Sequence, residues 1–287
     1  RVTATGSWGH PLYMICTWNC FTMSKTMEKI LKESSTVADP RMPLWFGKSK
    51  GWWDNQKNPT LSYKGEPFQG VPNGLTAIKI LEQDNDGWAA NKPDNNSCVY
   101  GLQAFPTWNT EGRLGSVKVA LDFKVMNFAE VCQLKAEAAL RGWNGAKNNY
   151  EAGIRASFAE ERKPVDASLY STGDDETYIT TGKVAWVESA SDEEKLERII
   201  TQKWLSLYPN GIEAWAECRR TGYPKLTPIF QSEEPTINPA NGEFIKKIRY
   251  CDAEYRDNTG NVEDPSLNQG QGDGMNVRVW WDTNRYK

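Results

Sequence analysis

Between residues 127 and 222 apolar positions recur at intervals of three and four, the spacing that gathers side chains on one face of an α-helix. The first helix is predicted to start at Asn127, an N-cap residue with Glu130 three positions on. Phe128, Val131, Cys132, Ala139 and Trp143 fall near one stripe, and Ala136, Ala138 and Ala139 would admit a neighbouring helix closely. Glu137 and Arg141, four apart, are assigned to the solvent side, and Gly142 is a natural stop. A second helix over about 147–160 puts Tyr150, Gly153, Ile154, Ser157 and Phe158 on one face. The short turn between the two predicts an antiparallel hairpin over 127–160.

The same logic predicts a second hairpin over 191–222. Ser191 and Glu194 form an S-x-x-E capping box, followed by the acidic cluster Asp192-Glu193-Glu194 at the positive end of the helix. Leu196, Ile199, Ile200, Trp204 and Leu207 make its inner face. Pro209-Asn210-Gly211 turns the chain, and a helix over about 211–221 is expected to bury Ile212, Trp215 and Ala216 before Gly222 and Pro224 end it. A shorter helix over 24–33 has Ser24 as N-cap and Met27, Ile30 and Leu31 on one face, and Asp39-Pro40 breaks the pattern.

Elsewhere the periodicity fades. Residues 40–126 are rich in Gly, Pro, Asn and Trp, too long a stretch for plain connectors and so a place to look for ligand contacts. Short strands are predicted over 117–123, which alternates apolar and polar residues, and over 277–281; the rest of the tail, 225–287, is irregular. The expectation is a mainly α fold of tetratricopeptide-like helical hairpins with long irregular loops and a few short strands, arranged as one domain over 1–287.

Composition narrows the function. A net charge of −3 over 287 residues lacks the basic excess that phosphate backbones require, which argues against nucleic acid. No run of about 18 apolar residues is present to span a bilayer. His10 is the only histidine, so a multi-histidine zinc site is impossible and a His-based triad would rest on that residue alone. Six cysteines form no C-x-x-C pair; Cys132 and Cys218 lie in helical patterns and read as small buried hydrophobes, while Cys16 and Cys20 are open to pairing or to staying free. The unusual feature is 13 Trp. Indoles on a loop-rich chain either fill the core between irregular segments or stand exposed as binding platforms.

The stretch from Asn210 to Leu226, N-G-I-E-A-W-A-E-C-R-R-T-G-Y-P-K-L, closely resembles the signature of the SusD/RagB family of nutrient-binding lipoproteins. Further likenesses follow in family order: Asp39-Pro40-Arg41, the turn from Gly70 to Leu75, Phe128-Ala-Glu-Val and the alanine-rich run from Lys135 to Trp143, Arg249-Tyr250 with Glu254-Tyr255, and Trp280-Trp281-Asp282. On that resemblance the chain looks like roughly the C-terminal half of such a protein. The resemblance implies a non-catalytic binding protein on the external face of the outer membrane, held by an N-terminal lipid anchor outside this chain. It also implies a TonB-dependent transporter of the SusC type as partner, and an oligosaccharide or peptide as ligand.

A sugar offers a face of C–H groups that a flat indole matches and a rim of hydroxyls that polar loop residues match. Trp45, Trp52, Trp53, Trp88 and Trp108 are the candidate ligand contacts. Trp52-Trp53 is the sharpest, since adjacent residues in an extended loop point opposite ways and leave one ring outward. No cofactor is expected. Asp84-Asn-Asp-Gly87 is similar to the start of a calcium loop, with Asp84 and Asp86 as weak ligands, but position 12 of that loop is Asn95 where a Glu is wanted. Two other function classes compete: a glycoside hydrolase, for which 37 acidic residues leave a carboxylate pair open, and a helical-repeat scaffold with a flat apolar face.

Overall fold

The computed structural model describes residues 21–60, 66–75, 96–99, 101–113, 124–264, 266 and 270–282. They form eleven α-helices: α1 Lys25–Glu33, α2 Met42–Trp45, α3 Lys50–Lys57, α4 Pro106–Glu111, α5 Phe128–Ala139, α6 Ala146–Arg162, α7 Asp175–Thr180, α8 Asp192–Ser206, α9 Gly211–Thr221, α10 Asp252–Asp257 and α11 Thr259–Val262. The chain divides into two compact units. One is Arg1–Val71 with Thr76–Asn210; the other is Pro72–Leu75 with Gly211–Lys287.

In the first unit α5 and α6 form the expected hairpin, with α8 packed on both and α7 on α6. The Asn127 side chain caps α5, accepting from Glu130 N at 2.7 Å while its amide donates to Ser206 O at the end of α8, so one residue starts one helix and holds another. The capping box at Ser191 and Glu194 is formed in both directions. Tyr150, Gly153, Ile154, Ser157 and Phe158 make the buried face of α6, as its spacing predicted.

The face of α5 differs from the prediction. Phe128 is 68% exposed and Trp143 70% exposed, while Ala129, Glu130, Cys132, Gln133, Ala136 and Glu137 are buried. The reason is close approach. A Cβ on Gly153 of α6 would fall 2.3 Å from Gln133 Nε2 and 3.2 Å from Ala129 O, so the contact face of α5 admits only small or flat side chains. The large apolar groups turn the other way. Glu137, placed on the solvent side by sequence, is buried and accepts from Arg141 at 3.0 Å.

The described residues between 40 and 113 are not loose cover. Met42, Leu44, Trp45, Phe46, Phe68, Cys98, Val99, Leu102 and Phe105 join Met23, Met27 and Leu31 of the α1 region, with Val165 and Leu205, in one buried cluster. Arg41 fixes this segment to the helices. It is fully buried and binds Asp39 through both carboxylate oxygens, at 2.9 and 2.6 Å. It also donates to Ser157 Oγ of α6 and Gln202 Oε1 of α8, and Gln202 donates in turn to the Tyr178 hydroxyl of α7. Burial opposes the guanidinium's charge, but the Asp39 carboxylate, with Tyr178 and Glu161, outweighs it and holds Arg41 protonated.

Sheet structure is confined, among the described residues, to two isolated bridges, Thr22 with Cys98 and Ser24 with Val71. The strand expected over 277–281 is absent. Val277 N bonds back to Gly274 O and Asp282 N to Val279 O, so that segment closes on itself in local turns. The strand expected over 117–123 lies outside the described residues. The helices expected over 191–207 and 211–221 both form, with α8 in the first unit and α9 in the second. Within α9, Ile212 is 76% exposed rather than buried; it stands in the first turn, and the buried positions are Glu217, Cys218 and Thr221 nearer the other end.

Candidate functional site

Two short helices of the first unit, α3 and α4, bring Trp52, Trp53 and Trp108 to one corner. Ser49 starts α3: its hydroxyl accepts from Trp52 N at 3.1 Å and donates to Glu66 O at 2.7 Å. That cap makes Trp52 and Trp53 helical, not extended. Successive helical side chains project roughly 100° apart, so the two rings neighbour each other instead of pointing to opposite sides. Their centroids are 4.7 Å apart at 77°, an edge-to-face pair, and both are partly exposed. The expectation of one core ring and one outward ring is thus corrected to a pair that shares one environment.

Gly112, in the left-handed region at φ +66°, ends α4 and lies against the Trp53 ring, where a Cβ would come within 2.5 Å of it. This glycine is needed both for the turn and for the contact. Trp108 on α4 is also partly exposed, donates its indole N–H to Lys48 O at 2.8 Å and packs on Gly47. Asn109 ties the corner together by donating to Pro43 O and Phe46 O, both at 2.9 Å, and accepting from Lys48 N at 2.8 Å. Trp52, Trp53 and Trp108 are therefore set by backbone caps and a buried amide, as a preformed site requires.

Lys48 stands among these rings, its Nζ 4.5 Å from the Trp52 centroid and 5.3 Å from that of Trp53. Burial alone lowers its pKa from the ordinary lysine value. Nothing in the sequence reading singled it out. A signal is visible there all the same, because its neighbours three and four positions away are Leu44, Trp45, Gly51 and Trp52, none of them acidic. The nearby acid Asp54 pairs with Lys50 along α3.

Trp45 is a different case. It is 2% exposed, packs on Tyr208 with centroids 4.7 Å apart, and donates its indole N–H to buried Glu161 at 2.7 Å. Glu161 also accepts from Gln103 Nε2 at 2.7 Å and pairs with Lys124. Trp45 is a core residue with its polar atom satisfied, not a platform. Trp88 and the calcium candidates Asp84 and Asp86 lie outside the described residues.

A family model described as SusD-like, Susd and RagB outer membrane lipoprotein, matches residues 1–282. The chain belongs to the SusD/RagB family. Solved SusD homologs have the same fold. A chitin-binding SusD homolog from Flavobacterium johnsoniae is 29% identical with a TM-score of 0.63, the match covering 99% of this chain and 54% of that one. A homolog from Bacteroides vulgatus ATCC 8482 is 28% identical, TM-score 0.62, with 99% and 54% covered. One from Bacteroides ovatus ATCC 8483 is 30% identical, TM-score 0.61, with 85% and 49% covered. The chain thus spans about half the length of these relatives. No curated protein matches it.

The SusD/RagB signature itself does structural work here. Arg220 pairs with Glu217 at 2.7 Å. Arg219 lies 3.7 Å from the Trp215 centroid and donates to Lys246 O at 2.8 Å. Thr221 Oγ1 donates to Glu217 O at 2.7 Å, and Tyr223 is buried. Asp39 and Arg41, the other strong likeness to the SusD family, are wholly internal as well. Around Lys48, by contrast, the partly exposed rings of Trp52 and Trp53 converge on one cation.

Proposed function

We propose that this SusD-like chain binds a nutrient glycan on the Trp52, Trp53 and Trp108 corner and belongs to a protein that delivers it to a SusC-type TonB-dependent transporter without catalysis. The protein is held on the external face of the outer membrane by a lipid anchor. Two things support this reading: membership of a family described as outer-membrane lipoproteins, with a chitin-binding homolog among its relatives, and three partly exposed indoles held rigidly beside a cation. The observation that carries it is the edge-to-face Trp52–Trp53 pair at the surface, because π faces fixed by a helix cap lose little freedom when a sugar stacks on them.

The test is calorimetric titration of the full-length protein with chitooligosaccharides and other nutrient oligosaccharides, followed by Trp52→Ala. A central aromatic contact removed from a site costs about 2 kcal/mol or more, roughly a 30-fold loss of affinity. Binding unchanged in that variant rejects the corner as the site. Release of new reducing ends during incubation rejects the non-catalytic reading.

A further inference from the structure

The corner around Lys48 has a polarity as well as a shape. Its ammonium is half-buried, and among the described residues no carboxylate is within ion-pair reach of it; its contacts are the faces of Trp52 and Trp53. Beside it the Trp53 indole nitrogen is buried and, among the described residues, has no hydrogen-bond acceptor. Both groups are donors. A buried charge elsewhere in this unit is treated otherwise: Arg41 has Asp39, Glu161 has Lys124, and Arg162 has Asp175. Leaving an ammonium partly desolvated without an anion costs stability, and cation–π contact returns only part of it. A site that keeps such a cation beside stacking surfaces is complementary to a ligand that brings the missing negative charge on a ring with an apolar C–H face.

Resting on the glycan reading above, the geometry points to an acidic saccharide as the ligand: a pyranose carrying a carboxylate or a sulfate ester, its ring stacked on the Trp52–Trp53 pair and its anion on Lys48. The ammonium is a compact point charge with no fork to match either anion's shape, so both chemistries fit it and a neutral sugar leaves it unmatched. The carboxylate or sulfate is then held by a charge-assisted contact in a partly dry setting, where such contacts are strong.

The experiment titrates the full-length protein with tetragalacturonate, a sulfated galactotetraose, chitotetraose and tetraglutamate, each at low and high salt. Tetragalacturonate, the sulfated sugar or both are expected to bind more tightly than chitotetraose and to weaken as salt rises, which needs no variant to be seen. Lys48→Met, which keeps the length of the side chain, is expected to cost about tenfold to a hundredfold for the acidic sugar. It should cost chitotetraose less, because a neutral sugar brings no anion for the ammonium to hold, so the ratio of acidic to neutral affinity falls even where the altered contact with the rings weakens both. Lys48→Arg should restore most of the loss. If chitotetraose binds as tightly as both acidic sugars, or Lys48→Met weakens all sugars alike, the acidic preference is wrong while the glycan reading stands. If tetraglutamate alone binds, or no saccharide does, both fall.

Discussion

Arg41, buried, and Lys48, half-buried, sit seven residues apart and illustrate opposite fates of a cation drawn out of water. Arg41 is matched on every side: two oxygens of Asp39, the hydroxyl of Ser157, the amide of Gln202, and the rings of Trp45 and Phe158 at 5.5 and 5.2 Å. Its role is to hold residues 39–46 on three helices. Replacing Arg41 with Met leaves the Asp39 carboxylate wholly buried without its counter-charge, and breaking a buried pair in that way costs about 3–5 kcal/mol. The measurement is urea denaturation of the full-length protein followed by far-ultraviolet circular dichroism. A shift below about 1 kcal/mol, the worth of an exposed pair, would mean that water reaches Asp39 and that the network is not sealed. Trp45 belongs to the same lesson. Its nomination as a ligand contact rested on residue type, and what decides its role is Glu161, more than a hundred positions away, taking up its N–H. No local pattern contains that partner.

The buried face of helix α6 was legible and that of its partner α5 only in part, through Cys132 and Ala136, and the difference is physical. The buried positions of α6 include Tyr150, Ile154 and Phe158, large groups whose spacing names the face. On α5 the interface is made by Ala129, Cys132, Gln133 and Ala136, and the large apolar residues lie elsewhere, so a reading that follows bulk selects the wrong side. Caps were read well because they depend on three or four consecutive residues: Ser24, Asn127 and Ser191 all accept from the backbone N–H three positions on. The close approach of α5 and α6 is testable through Gly153→Ala. Helix propensity alone favours alanine by about 0.8–1.0 kcal/mol, but the new methyl group would meet the amide of Gln133 at 2.3 Å and its Cδ at 2.9 Å. Gln133 is buried and its Nε2 donates to Tyr150 O at 3.1 Å, so moving it breaks a buried hydrogen bond. The overpacking term, about 1–3 kcal/mol, therefore prevails, and the variant is expected to unfold at lower urea than the parent. An alanine variant more stable than the parent would show that the two helices separate without penalty.

Across the whole molecule, the long-range features of the fold were visible chiefly as family motifs. The segment from Asn210 to Leu226 identified the family although its side chains serve the second unit's own structure, whereas the corner that gathers Trp52, Trp53 and Trp108 depends on Gly47, Gly112 and Asn109, whose importance emerges only when α3 and α4 meet. The two units also differ in how they are held. The first has a continuous apolar cluster from Met23 to Leu205 and helices packed on one another. In the second, the buried apolar side chains among the described residues are Cys218, Tyr223, Ile237 and Val277, and α10 and α11 bury nothing. Its order relies instead on polar anchors such as Asp273, which pairs with Lys247, takes the Tyr255 hydroxyl and accepts from Tyr250 N at 2.8 Å. A few polar anchors contribute less than a continuous apolar core, and segments with few buried contacts open locally at small free-energy cost. Native-state hydrogen exchange of the full-length protein is accordingly expected to run in a fixed order: amides of α10 and α11 first, those of α9 next, and those of α5, α6 and α8 last, near the global unfolding limit. Replacing Asp273 with Ala should speed exchange in α10 and leave α6 unchanged. Protection of α10 equal to that of α6 would refute this account, because it would require apolar support for the tail that its side chains do not supply.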